Sequence, residues 1–337
     1  MSAPLPRLGV RLHGGLPPLA CVALAECAEQ HGFASLWFAE NPFVRGALPT
    51  AAACALATRR LAIGIGAVNP YNRHPTLIAM EAGALDELAE GRVRLGIGSG
   101  IGAMVRRMGF GYERPLSAVR EAIDIVRAML QGETVTFQGR VFSVAGAKLG
   151  YNPPRPDLPI LMAAMGDRAI ALCGEIADGL IISNMCPLGY TERAVALLRR
   201  AAAQSGRPLP EIVQYVPCRP GHDRAEARES VKGALGEMLT SFWPTTEPWP
   251  PWRETIIEKS GIPRAEVAAA LTRLRRGEPA AQVLDERYVD AFAIAGTAEE
   301  CLERARAYRR AGVGELALGL VGPRPQDDIA LLAGAAR

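Results

Sequence analysis

The chain is poor in the features that most often announce a function. Its seven cysteines (Cys21, Cys27, Cys54, Cys173, Cys186, Cys218, Cys301) are odd in number, scattered, and form no CxxC pair. A disulfide framework and a thiolate zinc site are thereby excluded as organising features, no metal is expected, and buried free thiols of a reducing compartment fit better. No run of eighteen apolar residues occurs, and the opening MSAPLPRLGV has no long apolar stretch behind a basic start. Neither a membrane span nor a secretory leader is expected, so the reading is of a cytoplasmic protein with no membrane partner. Charge of one sign is also missing: 38 basic against 35 acidic residues leave +3. Without a concentrated basic footprint, nucleic acid is excluded as an expected partner. The remaining bulk, 49% hydrophobic and 22% charged, is ample for a large core, so disorder is not the default.

What is present is alternation. The runs RLGVRLH (7–13), SLWFAE (35–40), LAIGIGAV (61–68), RVRLGIGSG (92–100), PILMAA (159–164), LIISN (180–184), EIVQYVPC (211–218) and GELALGLVG (314–322) read as strands. Amphipathic stretches lie between them; PPLACVALAECAEQHG, for example, is opened by proline and stopped by Gly32. Eight such units predict a (β/α)8 TIM barrel with insertions, a single domain over 1–337. ETVTFQGRVFSV, with a QG turn between β-rich runs, predicts a hairpin excursion near 131–150. Helical sequence near 222–290 forms a second insertion. A doubly wound sheet is the alternative, but its dinucleotide-binding version needs GxGxxG after the first strand, and HGGLPP is not that.

Two of these strands finish in glycines: Gly64, Gly66, then Ala67-Val68-Asn69-Pro70, and Gly96, Gly98, Ser99, Gly100, Gly102. In a barrel the ligand sits over the C-terminal strand ends, and glycine there lets a flat ring approach the backbone. The competing reading is that the glycines only relieve crowding where strands converge. A third strand ends in Ala164-Met165-Gly166 and a helix begins at once, whose free N–H groups and dipole would seat a phosphate. Arg168 either assists that seat or is a solvated surface charge.

These residues carry a resemblance. VNPYNRHPTLIAMEAGALDELAEGRVRLGIGSG, together with GDRAIALCGEIADG, EAIDIVRAMLQGETVTFQGRVFSV and DAFAIAGTAEEC, resembles the luciferase-like flavin-dependent oxidoreductases, most closely their deazaflavin-dependent branch that includes methylenetetrahydromethanopterin reductase. The resemblance implies a barrel whose strand ends hold coenzyme F420 or FMN, a hydride passing between the ring and a small-molecule substrate, and a homodimer joined through helices over 50–90. It implies a non-prolyl cis peptide at Gly66-Ala67, making a bulge behind the ring. Asn69 would bond ring heteroatoms, with Gly66, Ala67 and Val68 beneath the ring. Gly98, Ser99 and Gly100 would line its passage, and Ala164, Met165 and Gly166 would hold the phosphate.

The match departs from the branch's dehydrogenases at two places: their His after the second strand and Glu after the fourth correspond here to Asn41 and Ile101. The catalytic candidates are therefore Glu40, His13 and Asn41. Glu40 is either the acidic residue beside the ring or a strand-end carboxylate capping a turn. His13, with an ordinary pKa near 6.5, is either a proton donor or a hydrogen-bonded structural residue. Arg73 reads as a loop anchor, and Tyr71, Asn184, Gln214 and Tyr215 as substrate-contact candidates. Three of the chain's four tryptophans fall within the proline-rich stretch 243–252, which reads as a lid over an apolar substrate or as a subunit-contact arm. Two other functions stay open: an FMN monooxygenase activating oxygen, and a barrel without turnover that binds a flavin or a partner.

Overall fold

The chain is described by a computed structural model covering residues 4–244 and 248–337, so Thr245, Thr246 and Glu247 of the Trp/Pro stretch lie outside the described residues. The first half alternates as β1 (Arg7–His13), α1 (Pro18–Gln30), β2 (Ser35–Ala39), α2 (Ala47–Ala57), β3 (Ala62–Val68), α3 (Pro75–Leu88), β4 (Val93–Gly98), a short α4 (Gly102–Arg107) and α5 (Pro115–Leu130). A hairpin of β5 (Val135–Gln138) and β6 (Ser143–Ala147) follows, then β7 (Ile160–Ala163), α6 (Asp167–Ile176), β8 (Gly179–Ile182), α7 (Leu188–Gln204) and β9 (Glu211–Gly221). The insertion is α8 (Arg224–Phe242), α9 (Pro251–Ser260), α10 (Arg264–Arg275), α11 (Ala280–Val283) and α12 (Glu286–Phe292). The chain closes with β10 (Ile294–Thr297), α13 (Ala298–Arg310), β11 (Glu315–Leu320) and α14 (Pro325–Ala335).

Eight strands pair in parallel in the order β1-β2-β3-β4-β7-β8-β9-β11 and return to β1, closing the expected barrel. The antiparallel β5–β6 hairpin stands apart, as the QG turn implied. Two features exceed the sequence reading. Strand β9 runs on to Gly221 and pairs there with β10, outside the closed circuit. Helix α4 follows β4 directly. Both are too short to carry a period of their own, and only their neighbours make them visible.

Local signals explain most helix ends. His74 caps α3, its Nδ1 accepting from Thr76 N at 3.3 Å with Pro75 in the first turn. At α13 the T-x-x-E pattern makes a full capping box: Thr297 Oγ1 accepts from Glu300 N while Glu300 Oε2 accepts from Thr297 N. The outward residues of the strands, among them Val10, Leu12, Leu36, Ile63, Ile65, Leu95 and Ile97, are buried under this helical ring. Each such side chain contributes roughly 1.5–3 kcal/mol. All seven cysteines are free, six of them buried.

The inward faces are layered. At the N-terminal end Arg7, Arg94, Glu211 and Glu315 form an ionic floor, with Arg7 and Arg94 each paired to both carboxylates. Above it Trp37, Leu161, Ile181, Val213, Tyr215 and Ala317 fill the barrel as a separate apolar cluster. The interior is thus a plug, and in this architecture a ligand sits over the C-terminal mouth. Among the described residues no helix is long and apolar enough to cross a membrane.

Candidate active site

The mouth is built around the end of β3. The Gly66–Ala67 peptide bond is cis, where the resemblance located it. The pairing of β3 with β4 slips between Ile65 and Val68, so the strand bulges there. Tyr215, rising from the plug, donates its hydroxyl to Gly66 O at 3.2 Å and braces the bulge from below.

At each of the four strand-end glycines an added Cβ would meet protein atoms, as the crowding reading expects. A Cβ at Gly64 would run into the Trp37 ring, and one at Gly96 would stand 2.6 Å from Ile181 Cδ1 and from Ile65 O. Those two serve close packing, so the crowding account is right for them. At Gly66 a Cβ would occupy the place of the Tyr215 hydroxyl, and at Gly98 it would press on Ala163 Cβ at 3.1 Å. These two likewise serve close packing, here of Tyr215 and Ala163 against the bulge.

The NPYNRHP loop is held over the bulge by its own side chains. Asn69 is 9% exposed, and its Oδ1 accepts from Tyr71 N and Asn72 N, both at 3.2 Å, in an Asx-type turn. Its Nδ2 makes no hydrogen bond among the described residues. Tyr71 packs on Tyr112, ring centres 5.1 Å apart, and donates to Glu113 O. Tyr112 in turn donates to Ser99 Oγ at 3.1 Å. The loops after β3 and β4 are therefore one unit, and Tyr71 is spent on joining them. Val68 is 1% exposed and belongs to the outer core, so it offers the mouth only backbone.

Arg73 anchors that loop. Its Nη1 donates to Glu40 Oε1 at 2.7 Å, and its Nε lies 2.7 Å from Glu81 Oε2, tying the end of β2 to α3. Glu40 thus has a structural partner on one oxygen, while its Oε2 is buried with none. Asn41 is exposed just beyond. His13 closes β1 on the mouth side, its Nδ1 accepting from Gly15 N at 3.2 Å, which assigns the proton to Nε2. Desolvation and the neighbouring Arg11 charge lower its pKa, which favours the neutral ring with Nε2–H as donor.

Across the mouth, α6 starts at Gly166, which caps it without a side chain. A Cβ there would meet only Trp252, at 3.9 Å, so the space above the helix end is open. Ala164 is buried at 6%, and Tyr190 donates its hydroxyl to Met165 O, fixing the turn. Asp167 in the first turn is engaged by Arg193 at 2.6 and 2.7 Å, and this pairing lowers its pKa. Arg168 is exposed.

Several candidates are corrected. Gln214 is fully buried on the helix side of β9, bonded to Thr191, Ser183 O and Tyr215 O, so it cannot contact a substrate in the mouth. Tyr215 lies within the plug and braces the bulge instead. The tryptophans of the insertion are not an exposed arm: Trp243 and Trp249 are buried, stacking edge-on with each other and, through Trp243, with Phe292. Arg253 lies across the rings of Phe242 and Trp252 at 4.8 and 4.5 Å. Asn184 alone of the strand-end polar candidates is uncommitted. What the sequence reading missed is Arg11, the bracing Tyr215 hydroxyl and the Tyr112 link. For Arg11 a signal existed, since Arg7, Gly9, Arg11 and His13 share one face of β1 by the two-residue period.

Known proteins place this arrangement. A 5,10-methylenetetrahydromethanopterin reductase of Archaeoglobus fulgidus is 30% identical over 315 residues, 90% of this chain and 91% of its own. The corresponding reductase of Methanolobus tindarius is 29% identical over 322 residues, covering 94% and 95%. The solved structure of the coenzyme F420 dependent tetrahydromethanopterin reductase from Methanopyrus kandleri has the same fold, with a TM-score of 0.87 at 23% identity over 98% of both chains. The model of the luciferase-like monooxygenases matches residues 4–315. The chain belongs to the luciferase-like monooxygenase family and is an enzyme.

Proposed function

We propose that the chain is a two-electron oxidoreductase that binds coenzyme F420 at the barrel mouth and passes a hydride between its ring and a small organic substrate. The observation that carries this reading is the bulge at the end of β3, braced by Tyr215, with an Asn69 Nδ2 beside it that makes no hydrogen bond among the described residues. The residues present fit a ring carrying a phosphate: the open start of α6 at Gly166, with no side-chain cap, suits an anion. The full-length similarity to reductases supports F420 over FMN. When bound, such a ring itself supplies the hydride chemistry.

The chain's own part is to bind, orient and exclude water. Asn69 Nδ2 would donate to the ring edge and the bulge would back its face, while the Asp167–Arg193 pair keeps the carboxylate at the phosphate seat neutralised. Phe43, Val44, Ile101 and Phe110, exposed on the loops after β2 and β4, give the mouth an apolar rim suited to an organic substrate. Ile101, where dehydrogenases of the deazaflavin branch carry an acid, makes direct proton transfer from that position impossible. His13 Nε2–H and the unpartnered oxygen of Glu40 are the polar groups left for a proton. The assembly is a homodimer through α2 and α3, because Leu56, Leu77, Met80 and Leu88 are exposed there, and the last three share one face of α3.

Side-by-side fluorescence and absorbance titrations of the apo-protein with F420 and FMN test the reading. Tight binding of F420 alone is expected. Tight binding of FMN alone would replace the reading with an oxygen-using monooxygenase, and binding of neither would leave a barrel without a ring cofactor.

A further inference from the structure

Three arginines point into the barrel, and two of them are neutralised. Arg7 and Arg94 stand in the ionic floor against Glu211 and Glu315, two cations for two carboxylates. Arg11, higher on the same face of β1, faces no carboxylate. Its Nε is fully enclosed without a partner, and no hydrogen bond or ion pair joins its guanidinium to any described residue. What it touches is an aromatic face: its Cζ lies 5.3 Å from the centre of the Tyr215 ring, whose hydroxyl braces the bulge. His13, the next inward residue of β1, stands at the rim, its pKa lowered by burial and by this charge. Trp37 is its register partner on β2.

Withdrawing a cation from water without a counter-ion costs more than one cation–π contact returns. The floor shows that this chain neutralises inward arginines where stability alone is at stake. Arg11 is left over at the level where the plug ends and the mouth begins. Desolvation lowers its pKa with only the Tyr215 hydroxyl opposing, which agrees with a site whose anion arrives from outside.

We propose that Arg11 is the anion-binding residue of the mouth, the counter-ion for an oxyanion that the ligand brings: an ionised oxygen of the ring cofactor, or a carboxylate of the substrate. The inference rests on the reading that a ring cofactor occupies the mouth, and it makes Arg11 a determinant of charge specificity. A guanidinium fork suits a planar oxyanion, and stacking on Tyr215 orients it.

The test compares wild type, Arg11→Lys and Arg11→Met in three measurements at one pH: the melting temperature of the apo-protein, the F420 dissociation constant with the spectrum of the bound chromophore, and direct calorimetric titration with benzoate as a carboxylate probe. Arg11→Met is expected to melt at or above wild type, since it removes an unpaired, half-buried charge, yet to weaken one anion by at least about tenfold, the loss of one charge-assisted hydrogen bond. If the anion belongs to the cofactor, F420 binding weakens and the bound spectrum moves toward the neutral chromophore. If it belongs to the substrate, F420 binding holds and benzoate binding is lost. Arg11→Lys, which keeps the charge, retains most of the binding that Arg11→Met loses. Unchanged F420 and benzoate binding in Arg11→Met overturns the proposal, as does a lower melting point with both ligands unaffected. Should wild type bind no F420, the cofactor reading fails by itself, and the benzoate arm still decides the role of Arg11.

Discussion

Replacing Glu315 by glutamine tests whether the barrel stands on its ionic floor. Glu315 is 1% exposed and accepts from Ser35 Oγ at 2.6 Å, Trp37 Nε1 at 2.5 Å, Arg94 Nη1 at 2.8 Å and Arg7 Nε at 3.1 Å. The amide retains part of this bonding but no charge, leaving two arginines to lean on Glu211 alone. Removing one partner from a buried charge network costs about 3–5 kcal/mol. Because Glu211 remains, the lower figure applies, about 3 kcal/mol. With an unfolding entropy of about 2.1 cal/mol/K per residue, the whole chain has about 0.7 kcal/mol/K, so the melting temperature should fall by about 4 °C.

The pH dependence adds a second check on Glu315. Burial pushes its pKa up, but Arg94, Ser35, Trp37 and Arg7 together outweigh burial and hold it below the ordinary value. A carboxyl with a lowered folded pKa stabilises fully above its unfolded pKa, about 4.3, and less as pH falls through the folded value. The wild-type advantage over Glu315→Gln is thus complete at pH 7 and narrows in acid. Urea unfolding at pH 7, 5 and 3.5 measures it. A gap at pH 7 under about 1 kcal/mol, or one that stays constant down to pH 3.5, would refute the role assigned to this floor.

Two further outcomes are expected. Glu40→Gln should lower kcat by about tenfold or more while changing F420 affinity little, because Arg73 still holds the loop through Glu81; wild-type kcat with a lower melting point would reduce Glu40 to an anchor. Met80→Lys, on the exposed stripe of α3, should convert a dimer to a monomer on light scattering; a monomeric wild type at micromolar concentration would sink the dimer.

Legibility differed by element. The eight barrel strands were readable because a buried parallel strand must be continuously apolar and its helix must be amphipathic, and both patterns are local. The hairpin at 135–147 and the α13 capping box were equally local, each fixed by a few adjacent residues. Strand β10 was not, since IAGT is four residues long and acquires its identity from pairing with the end of β9. The Trp/Pro stretch, expected as a lid or a contact arm, was undecided for a similar reason: aromatic content says that a segment seeks an apolar partner but not which one, and for Trp243 Phe242 and Phe292 supplied it internally.

By itself the sequence determined the fold class, the family and the location of the mouth, because glycine-ended strands and the NPYNRHP loop are contiguous in the chain. The tertiary structure alone decided which polar groups are spent and which are free. Gln214 and Tyr215 are neighbours in sequence, yet the two-residue period sends one into the helix layer and the other beneath the bulge. Glu40 found Arg73, thirty-three residues away, and Asn69 turned one end of its amide to the loop. Arg11 found no carboxylate at all. Whether a charge is paired depends on what eight converging strands bring to the same height in the barrel, and that is a property of closure and register, which no single segment contains.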